Sequence, residues 1–569
     1  MNDGDRATRT LLTLAAVAVA FAAADTYVVV LALPDMMLTV GLGIDELQRA
    51  APIVSGFLLG YVAMLPLIGR IADIRGRVPV LVASLVVFAF GSLVTALAFD
   101  LPSVVTGRFL QGVGAGGLVP ATLALVADLY PAERRAVPLG VVSAVQEVGS
   151  VIGPLYGAVV LAVADWEAIF WLNLAVGLVL AAALTRLGTT AVDERRGASR
   201  LRVPDPLSLL LLVVALVSLV LLLWEPDALV SDITLGIPFV PVTGESRWLT
   251  PLTLVAVLCA VALVVRCIVA QRPLVDLRDW AGSFRRADPL GAAFMALALA
   301  GVILAFASAD PAVQVMSPVG GWLLAGSALA TAALVWHLRR ATNPLIPRHA
   351  LRERPAWGSL LVSFFVGASL IAALVDIPVY ARLTTYKTSQ LMAALVLLRL
   401  LVAIPVGAVA GGFLTRRLPA GVVCACGMAL ATVGFGWMTH WGAQSLESQL
   451  INIPLVLAGL GFGLALAPVN AALLASTATS AHGVVSALVV VARMVGMLVG
   501  ISALTTIGLS RYFAALRPKH ELEAALVQIQ VIFAGAAVCA VVAGVLSLVL
   551  FRGARTRGTS PPVLIRATG

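Results

Sequence analysis

The sequence predicts an all-α polytopic membrane protein, on three observations. Of its 569 residues, 60% are hydrophobic and only 12% charged, against about 25% charged in soluble domains. The apolar residues gather in sixteen runs, most of them about 20 residues long, enough to cross ~30 Å of hydrocarbon. The third observation is where lysine and arginine fall. With a cytoplasmic N-terminus, 28 of the 38 lie in cytoplasmic segments, 7 in outer segments, and Arg108, Arg399 and Arg493 within helices. That bias supports an even helix count with both termini inside, because dropping one helix would invert every later loop. It also accounts for the net charge of +9 without nucleic acid, since no basic stripe with interleaved aromatics occurs.

The first run, 11–33, follows Arg6 and Arg9. It is too long for a signal peptide and has no clear cleavage site, so it is read as the first spanning helix. Runs at 51–69, 78–99, 103–127, 137–163 and 167–187 follow. Between the second and third lies a short link, Gly69 to Leu81. Its glycines allow a tight turn. Its Arg70, Asp73, Arg75 and Arg77 can pair with one another or with a neighbouring helix end. The alternative reading is an ordinary positive-inside loop.

Four runs occupy the middle, at 206–224, 249–271, 289–309 and 319–338. They form two similar pairs. Asp205-Pro206-Leu207 opens the first, which closes at Pro273-Leu274-Val275-Asp276-Leu277. Asp288-Pro289-Leu290 opens the second, which closes at Pro344-Leu345-Ile346-Pro347. Trp248 and Trp322 hold similar places. The pattern points to a tandem duplication, although shared apolar composition alone can imitate it. Six further runs lie at 356–380, 389–414, 420–440, 451–475, 481–507 and 528–551. Of the two long outer loops, 225–247 suits a short hairpin. In 508–527 the spacing of Leu509, Tyr512, Phe513, Leu516, Leu522 and Leu526 fits extended helices or a loop with apolar contacts. The five cysteines lack metal-site spacing and read as small buried hydrophobes.

An ionisable group inside a membrane helix is costly, and so is a functional candidate. Asp25 lies about 14 residues into the first run, roughly 21 Å along a helix. It can take up a proton or serve as a structural hydrogen-bond partner. Glu147 and Arg493 fall at similar depths in helices running the same way. Opposite charges at one depth can pair, which makes a candidate ion lock between the two ends of the chain; each can instead have a separate partner. Asp376, just before Pro378, is a candidate outer gate or a satisfied helix end.

Several stretches match known signatures. Asp25-Thr26-Tyr27-Val28-Val29-Val30-Leu31-Ala32-Leu33-Pro34 resembles the first-helix signature of the fourteen-helix drug:proton antiporters. Arg108-Phe109-Leu110-Gln111-Gly112-Val113-Gly114-Ala115 resembles their fourth-helix motif. Gly149, Gly153, Pro154 and Gly157 match the antiporter motif of helix 5. Trp166, Phe170, Asn173 and Gly177 follow the helix-6 entry signature. The Gly69–Leu81 link resembles the loop between helices 2 and 3 of the major facilitator superfamily. The segments Gln146–Ser150 and His482–Gly500 are similar to mycobacterial triacylglycerol exporters that work with a periplasmic lipoprotein.

The resemblance implies two six-helix bundles, 1–190 and 351–555. Linker helices lie between them at 191–350, and a cytoplasmic tail at 556–569. It implies proton coupling by Asp25, Arg108, Glu147 and Arg493, and a cytoplasmic latch from Gly69, Asp73, Arg75, Gly76 and Arg77. The function implied is a proton-coupled exporter of lipophilic cargo in a bacterial inner membrane, with multidrug:proton antiport as the alternative. The chain would act as a monomer, driven by the proton gradient with no cofactor, and with a periplasmic lipoprotein as candidate partner. The extra linker pair and a short connection between the last two helices depart from those exporters. An enzyme is disfavoured: there is no Gly-x-Ser-x-Gly elbow, no His-Glu-x-x-His and no Walker A loop.

Overall fold

The computed structural model describes residues 3–42, 47–131, 134–196, 205–232, 234–243, 246–270, 273–307, 319–387, 389–516, 521–554 and 556. Among them there is no strand. The first six helices are α1 (Asp3–Thr39), α2 (Leu47–Arg75), α3 (Arg77–Ala96), α4 (Leu101–Leu129), α5 (Ala136–Leu161) and α6 (Glu167–Arg196). Then come α7 (Pro206–Trp224), the single turn α8 (Asp227–Val230), α9 (Pro251–Val269), α10 (Leu277–Arg286), α11 (Pro289–Ala307) and α12 (Gly320–Arg340). The last six are α13 (Arg354–Leu383), α14 (Gln390–Arg417), α15 (Ala420–Met438), α16 (Asn452–Ala475), α17 (His482–Leu516) and α18 (Glu521–Leu550).

All but α8 and α10 coincide with the sixteen apolar runs. Among the described residues, fourteen helices are each long and apolar enough to cross a membrane, and α11 is separated from α10 by a 68° bend. The remaining long helix is α5, with 26 residues.

Helix contacts follow one pattern twice. In the first group α1 packs on α5, α2 on α4, and α3 on both α4 and α6. In the last group α13 packs on α17, α14 on α16, and α15 on both α16 and α18. Adding twelve to each label converts one set into the other, the internal repeat expected of many transporters. The groups meet at two equivalent seams, α2 with α17 and α5 with α14.

Large side chains fill each bundle. Phe57, Phe88 and Phe170 are fully buried in the first, Phe435, Phe462 and Phe533 in the last. Residues 508–516 continue α17 and 521–527 begin α18, so the described parts of this stretch are helical. Among the described residues of 225–247, no strand of the expected hairpin forms. The segment instead makes α8 and short turns at Ile237–Phe239 and Arg247–Leu249. Pro226, Pro238 and Pro241 remove the backbone donors that a strand ladder needs.

In the middle block α7 pairs with α9, and α11 with α12. Each pair is braced alike. Arg266, near the end of α9, donates to Asp205 at the start of α7 (2.5 Å). His337, near the end of α12, lies 2.7 Å from Asp288 at the start of α11. Hydrogen bonds from Arg266 hold the Asp205 carboxyl below the usual carboxylate value. Asp288 also accepts from the backbone of Gly291 (3.0 Å) and Leu345 (2.8 Å). The tryptophans differ: Trp248 stacks by Phe99 and reaches Asp100 at 3.3 Å, while Trp322 is 83% exposed. Through α7, the first pair docks on Leu93 of α3, on Leu97 at its C-terminal cap and on Leu174 of α6. The second pair docks differently, because α11 lies on both α2 and α17.

Candidate functional site

Asp25 sits in the interior of α1, far from either helix end. A carboxylate there has no water to solvate it, so its partners must come from neighbouring helices. Arg108 of α4 donates to its Oδ2 at 2.7 Å, with both side chains at most 1% exposed. The Asn173 amide of α6 donates to its Oδ1. Arg108 also reaches Gln111 (2.9 Å), whose amide passes on to Ser92 (2.8 Å). Phe57 and Phe170 cover the guanidinium, with ring centroids 4.5 and 5.8 Å away. The Arg108 Nε has no hydrogen-bond partner among the described residues. The network is thus a dry, nearly complete set of charge-assisted hydrogen bonds, the kind that is worth most when intact and costs most when broken.

Glu147 and Arg493 meet on a different footing. Their closest charged atoms are 4.0 Å apart, and the two side chains are 14% and 16% exposed. They line a cavity of about 230 Å³ between the bundles, bounded by α1, α2, α4 and α5 on one side and α13, α14 and α17 on the other. Apart from Thr26, Tyr61, Gln146, Ser150 and this pair, its wall is apolar. Phe57 lies both on the cavity wall and over Arg108. One aromatic ring therefore separates the cavity from the Asp25 network. The four charged residues singled out from the sequence are two separate pairs rather than one cluster.

At one end the bundles are tied together. Asp73, at the end of α2, accepts from the backbone N–H of Gly483 (2.7 Å) and Val484 (3.1 Å) in the first turn of α17. Those N–H groups have no partner within their own helix. Asp73 therefore caps, from the first bundle, a helix of the last. Arg77 holds Asp73 at 2.5 Å and also reaches Asp128 (3.2 Å) and the Thr479 carbonyl (3.3 Å). Arg70 donates to the Ser480 carbonyl at 3.1 Å. Gly76 turns the chain at φ 103°, a conformation that suits glycine. Gly69 approaches Gly483 so closely that a Cβ on Gly69 would lie 2.6 Å from the Gly483 carbonyl oxygen. At the same end Gly140 of α5 lies against Ala408 and Gly412 of α14. Both seams are closed there.

Arg75 takes no part in this interface. It donates to Asp279 of α10 at 2.6 Å and lies 4.2 Å over the Trp280 ring. Of the helix-5 motif, Gly149 and Gly153 let α5 close on Ala20 and Ala24 of α1. The Gly157 backbone is helical and buried, and the Pro154 side chain lies outside the described residues. Asp376 is buried but does not line the cavity. Arg399 reaches Asn452 at 2.8 Å.

Sequence reasoning identified most charged members but not their neutral partners. Asn173 belongs to the helix-6 signature, which gives no sign that it faces Asp25. The partners of Asp73 are backbone groups and leave no trace in residue identity. Asp279 and Trp280 belong to a short amphipathic stretch between two apolar runs.

The comparisons agree with this architecture. The profile of the Major Facilitator Superfamily matches residues 15–341. A triacylglyceride transporter of Mycolicibacterium hassiacum is 34% identical over 507 residues, covering 87% of this chain and 78% of its own. One from Mycobacterium tuberculosis is 32% identical over 519 residues, 89% of this chain and 83% of its own. Among solved structures, a proton:xylose symporter superposes with a TM-score of 0.53 at 13% identity over 95% of both chains. A human organic anion transporter does so with 0.52 at 15% identity over 96% of this chain and 98% of its own. With a matching profile over more than half its length, close relatives along most of it, and the repeated six-helix packing, the chain belongs to the major facilitator superfamily, as a multi-pass membrane transporter and not an enzyme.

Proposed function

We propose that this transporter exports a lipophilic cargo, a triacylglyceride or related lipid, in exchange for protons. One observation carries the reading: the cavity between the bundles is apolar except for a few polar groups and a loose, protonatable ion pair. An apolar wall suits acyl chains. The relatives named triacylglyceride transporters support the same cargo class. At about 230 Å³ the cavity is smaller than the ~300–1,000 Å³ of typical ligand sites. With the Asp73 end closed it holds part of a lipid at most, and rocking of the bundles is needed to admit the rest. The chain acts as a monomer with both termini cytoplasmic. Uptake of a proton by Glu147 releases Arg493 and frees the bundles to move; Asp25 and Arg108 form the second coupling element.

The test uses purified protein in liposomes with an imposed proton gradient. Gradient-driven movement of a fluorescent triacylglyceride and of a lipophilic cationic dye is compared for wild type and Asp25→Asn. Lipid movement that fails in Asp25→Asn is expected. Dye movement without lipid movement would assign the chain to multidrug antiport instead. The ion pair has its own test. Glu147→Arg and Arg493→Glu should each lose at least tenfold in rate, and the double exchange should recover much of it; no recovery means the two do not act as a pair.

A further inference from the structure

The amphipathic helix α10 has no counterpart in either six-helix bundle, and the structure gives it two unlike faces. Leu277, Trp280 and Phe284 fall on one side and Arg278, Arg285 and Arg286 on the other. Trp280 packs against the protein core, while Phe284 remains 43% exposed. All three arginines are exposed. Asp276 is occupied as the helix N-cap, and Asp279 is paired with Arg75. The acids of α10 therefore leave its basic face unneutralised, and exposed Arg339 at the end of α12 adds to the same end. A 68° bend joins α10 to membrane-spanning α11. With α11 across the bilayer, that bend turns α10 toward the membrane plane, the placement that suits an amphipathic helix with an exposed aromatic and a basic face.

We propose that α10 is a docking surface for anionic phospholipid headgroups, and that lipid bound there holds closed the end of the transporter tied by Asp73. The connection is physical. Arg75 is the last residue of α2, two positions from Asp73, and its guanidinium is clamped between the Asp279 carboxylate at 2.6 Å and the Trp280 ring at 4.2 Å. Fixing α10 on the membrane surface fixes the end of α2, and with it the carboxylate that caps α17. Continuity with a spanning helix and charge complementarity select a lipid of the bilayer as the occupant. The inference rests on this geometry and not on the identity of the cargo.

The test places a cysteine at Ala481, which is 1% exposed beside the Asp73 cap, in a full-length chain lacking its five native cysteines. Alkylation by a polar maleimide is followed in phosphatidylcholine vesicles, with and without phosphatidylglycerol. Phosphatidylglycerol should slow the reaction severalfold. The combined Arg278→Gln, Arg285→Gln, Arg286→Gln variant should remove that effect, and so should Asp279→Asn alone. Arg285→Gln by itself gives a graded loss and guards against misfolding of the triple variant. The proposal fails if phosphatidylglycerol has no effect on the parent, or if its effect survives in the arginine variants or in Asp279→Asn. It fails equally if free inorganic phosphate in phosphatidylcholine vesicles slows alkylation as much, which would indicate an anion site rather than a lipid surface.

Discussion

Replacing Arg108 with alanine is expected to destabilise the folded protein by about 3–5 kcal/mol and to abolish transport. The cost comes less from the lost contact than from what is left behind. Asp25 would remain at 0% side-chain exposure with only Asn173 as a polar partner. Gln111 would lose one of its two donors. A thermal or denaturant midpoint in detergent, read with a fixed lipid supplement, measures the loss. Replacing both charges by apolar residues of similar volume (Arg108→Met with Asp25→Leu) should return most of the stability, because no buried charge is then left alone. It should not return transport. A double variant as unstable as Arg108→Ala would mean that the pair contributes net stability.

Much of this site was legible in the sequence, and the reason is chemical. A charge in an apolar run is conspicuous, so Asp25, Arg108, Glu147 and Arg493 stood out, as did sixteen runs of spanning length. The pairing of Asp25 with Arg108 was not legible, since 83 residues separate them and several partners were at the right depth. Asp73 shows the limit most clearly. Its partners are amide hydrogens of Gly483 and Val484, present at nearly every position of any chain. Only packing decides which of them lack an intrahelical acceptor and face the other bundle. The hairpin expected at 225–247 differs for the opposite reason: its signal is plain in the sequence, since Pro226, Pro238 and Pro241 lack the donors that a ladder needs.

Gly483→Leu is expected to force open the end of the transporter that Asp73 ties. A side chain there would drive its Cβ into the Gly69 carbonyl oxygen and to 2.9 Å from the Asp73 carboxylate. The obstacle at Gly69 is backbone within a helix and cannot rotate away. Overpacking of this kind costs about 1–3 kcal/mol, and 1.4 kcal/mol is already about tenfold in a two-state equilibrium. The burden falls only on the closed arrangement, because the two glycines part when the bundles rock. Alkylation of a cysteine at position 481 should therefore speed up by about tenfold or more, while the thermal midpoint changes little. Gly69→Ala should act in the same direction and more weakly. Unchanged labelling in Gly483→Leu would show that the close approach does not control this end.

The placement of α11 makes the two seams mechanically unequal. Repeated packing alone would let the bundles tilt evenly about a central axis. With α11 resting on both α2 and α17, one seam carries a strip of packed side chains along its outside. No described linker helix packs comparably on α5 and α14. Relative motion is then expected to resemble a door hung on one jamb, with α11 on the hinge side and the α5–α14 seam as the free edge.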